Sequence, residues 1–208
     1  MAEDSAQSET IARLKAAVEA YGTGEGPVAP LIDEREEEIL APVKARARRL
    51  VDHRDRSAHE LRTRLIDAGF DDRAVSAVVD ACVANGMVDD ARFAREWVRQ
   101  RHRNQHRSAA VLRRELRDKG VDDGVIEDAL AQVTADDERE AVRLLVGRRA
   151  ASVKRVPRDR TAYDRELRRV VGVAARRGFP EGLSLAMARE ALDARIAELG
   201  GEGRGGTV

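Results

Sequence analysis

The chain has 208 residues, 37% of them charged and only 3% aromatic, with a formal net charge of zero. That length allows one large domain or two small ones, and a composition led by Ala, Arg, Leu, Glu and Asp points to helices with thin apolar stripes. It has no run of about 18 apolar residues, and no signal peptide with a charged start and an apolar core, so the expectation is a cytoplasmic protein away from membranes.

The neutral total hides an asymmetry. Residues 1–42 carry three basic against ten acidic side chains, a balance of −7, and the rest of the chain is +7. A basic body behind an acidic leader suits an anionic partner, or a leader that screens the body from one; Arg-rich solvation of helices accounts for the charge equally well. The leader is poor in apolar residues and holds Gly22, Gly24, Gly26, Pro27 and Pro30, so it is expected to be disordered, with Pro42 closing it.

From residue 43 the pattern is helical. Ala45, Ala47, Leu50 and Val51 mark a first, basic helix. Ser57 with Glu60 three residues on reads as a capping box opening a second helix, which ends at Gly69. A third carries Val75, Val78, Val79 and Cys82 and stops at Asn85-Gly86; the single cysteine reads as a small core residue in a reducing compartment. Asp89 or Asp90 then caps a helix whose Phe93 and Trp97, four apart with Ala94 and Val98 beside them, form an apolar anchor stripe. Arg92, Arg95, Arg99 and Arg103 lie on its other face. A helix over 108–119 follows, then one holding Val125, Ile126, Ala129 and Leu130. Thr134 and Asp137 form a possible capping box before Ala141, Val142, Leu144 and Leu145. Between Gly147 and Tyr163 a longer basic connection includes Lys154, Arg155, Pro157, Arg158 and Arg160. A long helix then reaches Gly178, and a last one carries Leu185, Ala188, Leu192 and Ile196 before a Gly-rich tail.

These elements repeat. Leu61, Leu65, Gly69 and Phe70 are matched by Leu112, Leu116, Gly120 and Val121, and again by Val170, Ala174, Gly178 and Phe179, with the same offsets about each glycine. A fixed local spacing that recurs every 50 residues or so marks stacked supersecondary units. Each glycine supplies the left-handed position that ends a helix, and the apolar residue after it folds back as in a Schellman cap. Asp71-Asp72 and Asp122-Asp123 offer caps for the next helix, where the third copy has Pro180-Glu181. The expected fold is all-α: a tandem, elongated and curved array of three three-helix repeats, at 43–88, 89–133 and 134–199, between the leader and a flexible tail at 200–208.

With these residues in place, the chain resembles the RecX family of recombinase regulators over roughly residues 43–199. The main match is Gly86-Met87-Val88-Asp89-Asp90-Ala91-Arg92-Phe93-Ala94 followed by Trp97-Val98. Arg56-Ser57 with Glu60-Leu61, Glu115-Leu116 with Lys119-Gly120-Val121-Asp122, and Ala175-Arg176-Arg177-Gly178-Phe179 support it. The family often has a glycine ahead of the second unit's middle helix, where this chain has Asn104-Gln105-His106-Arg107. The resemblance implies a modular protein that binds the RecA–DNA filament along its groove, bridges protomers and restrains strand exchange and coprotease function, without catalysis.

Chemistry of other kinds has little support. Gly-x-Gly occurs only in the leader and tail, with no strand before it. His102 and His106 have metal-ligand spacing but no third ligand, so a solvated basic face is the simpler reading; no metal or cofactor is expected. Arg92 is expected to pair with a carboxylate of a neighbouring unit. The candidate binding cluster is Arg95, Arg99, Arg103, Arg107, Arg113, Arg114 and Arg117, as a group rather than through any one member, against the alternative of a solvated face laced with Glu96, Glu115 and Asp118. The expected partner of this monomer is the RecA filament, with single- or double-stranded DNA met through it or weakly by direct contact. The alternative is a helical nucleic-acid binder acting without RecA. Against that, no helix after a glycine turn combines basic and amide side chains for reading bases.

Overall fold

Leu61 and Leu65 stand four residues apart, share a helix face and are both fully buried. The computed structural model describes residues 11–12, 15–16 and 34–202, and between 34 and 202 its regular elements are all helices, with no strand. The helices are α1 (Glu34–His53), α2 (Ala58–Asp67), α3 (Asp72–Ala84), α4 (Asp90–Gln105), α5 (Ala109–Asp118), α6 (Asp123–Leu130), α7 (Ala135–Ala151), α8 (Arg160–Ala175) and α9 (Glu181–Glu202).

They close in threes on three separate cores. Helices α1–α3 bury Val43, Ala47, Leu61, Leu65, Val75, Val79 and Cys82. Helices α4–α6 bury Phe93, Ala94, Val98, Leu112, Leu116 and Ile126. Helices α7–α9 bury Val142, Val146, Val170, Ala174, Phe179 and Leu192. Extensive helix packing stays within each group of three. Each core is small, so the stability of a unit depends on its neighbour as well as on itself.

The three glycine turns are built alike. Gly69, Gly120 and Gly178 have φ of 87°, 69° and 83°. In each, the glycine N–H and the next N–H bond back to successive carbonyls: Gly69 to Ile66 and Phe70 to Leu65, Gly120 to Arg117 and Val121 to Leu116, Gly178 to Ala175 and Phe179 to Ala174. This is the Schellman pattern, with the apolar residue folded onto the helix it ends. Asp71 and Asp122 accept from the first N–H groups of α3 and α6, and Thr134 with Asp137 forms a complete capping box on α7.

Several expectations need correction. Pro42 does not close a leader: α1 begins at Glu34 and Pro42 lies inside it, exposed. The ring removes one helical N–H, and the packing of Leu40 and Val43 on the first core carries the helix across it. The remainder of the expected leader lies outside the described residues, as does the tail beyond 202. Residues 200–202 continue α9, because Ile196 and Leu199 still pack on the third core. Ala45 and Leu144 face solvent instead of the core, while Val146 and Ala150, one and two turns beyond the buried Val142 on α7, are buried. The basic connection is also shorter than expected: α7 runs to Ala151 and only residues 152–159 are loop.

Candidate functional site

The contacts between units carry most of the polar chemistry. Ser57 caps α2 by accepting from the Glu60 N–H (3.0 Å), but the reciprocal half of the expected capping box is missing. The Glu60 carboxylate turns instead to Lys119 Nζ of the second unit (2.6 Å) and to Arg54 (3.2 Å). The Ser57 hydroxyl donates to the Lys119 carbonyl at 2.6 Å. Asp90, the first residue of α4, accepts from the Ala58 N–H at 2.8 Å. Gly120 sits against His59, where an added Cβ would lie 2.4 Å from the His59 Cβ.

The second junction repeats the first. Ser108 caps α5 by accepting from the Val111 N–H, donates its hydroxyl to the Gly178 carbonyl (2.8 Å) and its N–H to the Arg177 carbonyl (3.0 Å). Glu138 accepts from the Ala109 N–H at 2.8 Å, as Asp90 does from Ala58. Gly178 lies against Val111, where an added Cβ would lie 2.2 Å from the Val111 Cγ2. In both junctions a capping serine reaches the carbonyl at the next unit's glycine turn, and an acid early in the next unit's first helix closes the bracket. Such bonds satisfy helix-terminal groups that would otherwise be orphaned.

Their electrostatics follow from burial. Desolvation pushes the Glu60 carboxyl up, yet the hydrogen bonds and charges of Arg54 and Lys119 outweigh it and hold the group below its usual range. Asp90 is raised, by burial first and by the neighbouring Asp89 charge, against the Ala58 N–H bond that lowers it. Asp89 is the N-cap of α4 and is lowered mainly by the Arg92 N–H that it accepts.

Trp97 belongs to this junction as well as to the core. Phe93 is buried and packs at 5.6 Å between ring centroids from Trp97. The half-buried indole donates to Glu115 (3.0 Å) and is faced by Arg101 at 3.9 Å and by Lys119 at 4.7 Å. Lys119 thus links the Trp97 ring to Glu60 of the first unit.

The structure divides the arginine cluster. Arg99 is bound to Glu96 at 2.5 Å, which holds that carboxyl at about 2. Arg113 grips Glu127 with two bonds of 2.7 Å, and Arg117 meets Asp123 at 2.7 Å. The buried Nε of Arg107 approaches Glu115 at 3.9 Å, too far for a hydrogen bond. Among the described residues, Arg95, Arg103 and Arg114 make no side-chain hydrogen bond or ion pair, and Arg95 and Arg103 lie on α4 two turns apart. Arg92 does not meet a carboxylate of another unit; it reaches the Met87 carbonyl at 3.5 Å.

His106 supplies the turn where a glycine was noted as absent: it caps α4 at φ 49°. His102 Nδ1 lies 2.9 Å from the Arg107 carbonyl across the same turn. Burial and the charges of Arg148, Arg177 and His102 lower the His106 pKa. Among the described residues, no three His, Cys, Asp or Glu side chains gather as metal ligands, and no helix is long and apolar enough to cross a membrane.

Sequence reasoning found Ser57, Ser108, Lys119 and Asp90 only as local signals. Their long-range partners stand 62 and 70 residues away for the two serines, beyond any local pattern.

The molecule is thus an all-α protein of tandem three-helix units clasped by serine–glycine junctions. Residues 44–82 match the family description "RecX, first three-helix domain" and residues 89–130 match "RecX, second three-helix domain". The regulatory protein RecX of Corynebacterium efficiens is 45% identical over 93% of this chain and 93% of its own. That of Amycolatopsis mediterranei is 39% identical over 67% and 77%, and that of Streptomyces coelicolor 32% over 70% and 74%. The crystal structure of RecX from Lactobacillus salivarius superimposes with a TM-score of 0.63 over 76% of this chain and 98% of that one, at 19% identity, which supports the fold. The chain belongs to the RecX family of regulatory proteins.

Proposed function

We propose that this protein binds the RecA–DNA filament in the cytoplasm as a monomer and restrains its recombinase and coprotease activities, by occupancy and without a catalytic step or cofactor. Family membership supports the partner. The single observation that carries the mode of action is the repeated junction: one Ser-to-carbonyl bracket, used twice, holds successive units in a like relation. A chain built that way can meet successive subunits of a regular polymer with successive units. The unit limits 43–88, 89–133 and 134–199 are part of this proposal.

Arg95, Arg103 and Arg114 lead the contact with the filament, because they are free to meet carboxylate or phosphate without first breaking a bond. Arg99, Arg113 and Arg117 sit in exposed pairs that contribute little to stability and can exchange partners at an interface. The reading of bases by a helix is disfavoured, since α6 and its cap present Asp122, Asp123, Glu127 and Asp128.

Co-sedimentation with RecA filaments assembled on single-stranded DNA tests the reading. The wild-type chain should pellet with filaments, and R95E/R103E/R114E should remain mostly in the supernatant. Equal pelleting of the two would remove these arginines from the interface; no pelleting of the wild type would remove the filament.

A further inference from the structure

Of the three units, the third carries the largest positive excess and the middle one the smallest. Loop 152–159 and helix α8 enclose an open cleft of about 580 Å³, lined by Arg149, Lys154, Arg155, Arg158, Arg165 and Arg169 with Glu166 as the one carboxylate. Arg169 and Arg149 already hold Glu166, at 2.7 and 3.7 Å. Among the described residues, Lys154, Arg155, Arg158 and Arg165 are exposed and make no side-chain hydrogen bond or ion pair. In a chain with equal numbers of acidic and basic residues, this crowding of cations works against folding through self-repulsion and is relieved by an anion.

The shape of the cleft says which anion. A second cleft, sharing Arg149 and Ser152 with the first, adds Arg148, Arg176 and Arg177 and no acid, so the positive surface is a track. Arg165 and Arg169 on α8 and Arg176, its C-cap, fall on one face at intervals of four and seven, a row about 16 Å long at the helical rise. Gly172 stands within that row, and a Cβ there would lie 3.1 Å from Arg176 Nη1, so the missing side chain leaves room for this guanidinium. The floor is firm: Val153 is buried and its carbonyl accepts from Arg195 at 3.1 Å. No aromatic ring lines either cleft, so there is no platform for stacking bases.

We infer that this track on the third unit is a direct binding site for the phosphodiester backbone of DNA, held without regard to sequence. A row of about 16 Å spans roughly five nucleotides at the axial rise of one strand. The site rests on the proposed function only in that such a strand would be supplied within the filament. Its test uses no recombinase, so the two readings can fail separately.

Fluorescence anisotropy of a fluorescein-labelled 25-nucleotide oligo-dT and of a 25-base-pair duplex, at 50 and 200 mM salt, decides it. The four free cations of the first cleft alone, meeting phosphates, give a slope of about −2.8 on single strands, or roughly a 50-fold loss of affinity over that range, and contacts from the second cleft steepen it. R155Q/R158Q/R165Q should flatten the slope by about 2 and weaken binding at low salt. K154Q/R155Q, confined to the loop, should flatten it by about 1.4. R73Q on α3 should behave as wild type, and circular dichroism should be unchanged in all three. Preference for strand or duplex identifies the form held, and either supports the site. It is overturned by no binding at 50 mM salt, by slopes that the triple and loop variants leave unchanged, or by polyglutamate competing as well as DNA at equal charge, which would make the track a surface for acidic protein.

Discussion

Replacing each turn glycine by alanine separates the cost of the turn from the cost of the junction. All three glycines hold positive φ, and an L side chain there costs about 1–2 kcal/mol. At Gly69 nothing lies within 4 Å of the added Cβ, so that is the whole effect expected. At Gly178 the Cβ would stand 2.2 Å from Val111 Cγ2 and 2.8 Å from Ser108 Oγ. Overpacking of this kind costs about 1–3 kcal/mol. If the junction opens to relieve it, the two Ser108 bonds to Gly178 and Arg177 are lost, each with a net contribution of about 1 kcal/mol. Gly178→Ala should therefore destabilise by about 2–3 kcal/mol more than Gly69→Ala, and Gly120→Ala, pressed on His59, should resemble Gly178→Ala. At roughly 2–4 °C per kcal/mol, the melting points differ by about 4–12 °C. Urea unfolding followed by circular dichroism and by Trp97, the chain's single tryptophan, supplies a second readout. In G178A the third unit should uncouple, so that the Trp97 transition of the second unit departs from the helical signal. Equal melting points for G69A and G178A, with coincident transitions, would refute the junction as a source of stability.

Two further perturbations address the first junction. Glu60 has a depressed pKa in the folded chain, so its contribution is present above its usual value of 4.5 and is lost as pH falls through the folded value. Glu60→Gln should thus be less stable than wild type at pH 7 and lose less on acidification to pH 3 in urea titrations; an identical pH dependence would contradict this. Asp90→Ala leaves the Ala58 N–H without its acceptor and should cost about 1–2 kcal/mol, whereas Asp90→Asn keeps an oxygen and sheds the desolvation that raises the carboxyl, so its urea midpoint at pH 7 should stay near or above that of wild type.

The parts of the fold that were legible in the sequence are those decided within a few residues. An apolar pair four residues apart, a glycine and a further apolar residue define each Schellman turn, since every bond in it is local. Thr134 with Asp137 is a complete capping box for the same reason. Ser57 with Glu60 looked identical in sequence, but Lys119 and Arg54 compete for the glutamate and win, a contest that only the assembled units reveal. Pro42 misled because its local cost is outweighed by burial of Leu40 and Val43 against helices that lie further along the chain. The arginine cluster was visible as composition, but whether an arginine is free depends on which carboxylate the fold brings beside it. Arg113 and Glu127, 14 residues apart, meet only because α5 and α6 pack together. The cations of loop 152–159 were equally visible, but as a connection and not as one wall of a cleft, since α8 forms the other.

RecA ATP hydrolysis on single-stranded DNA, with this protein titrated well below the recombinase concentration, tests the central claim most directly. One chain bridging neighbouring protomers should suppress turnover at that ratio, and R95E/R103E/R114E should shift the titration to higher concentration. Undiminished hydrolysis at equal amounts of the two proteins and low salt would contradict filament binding as the function of this chain.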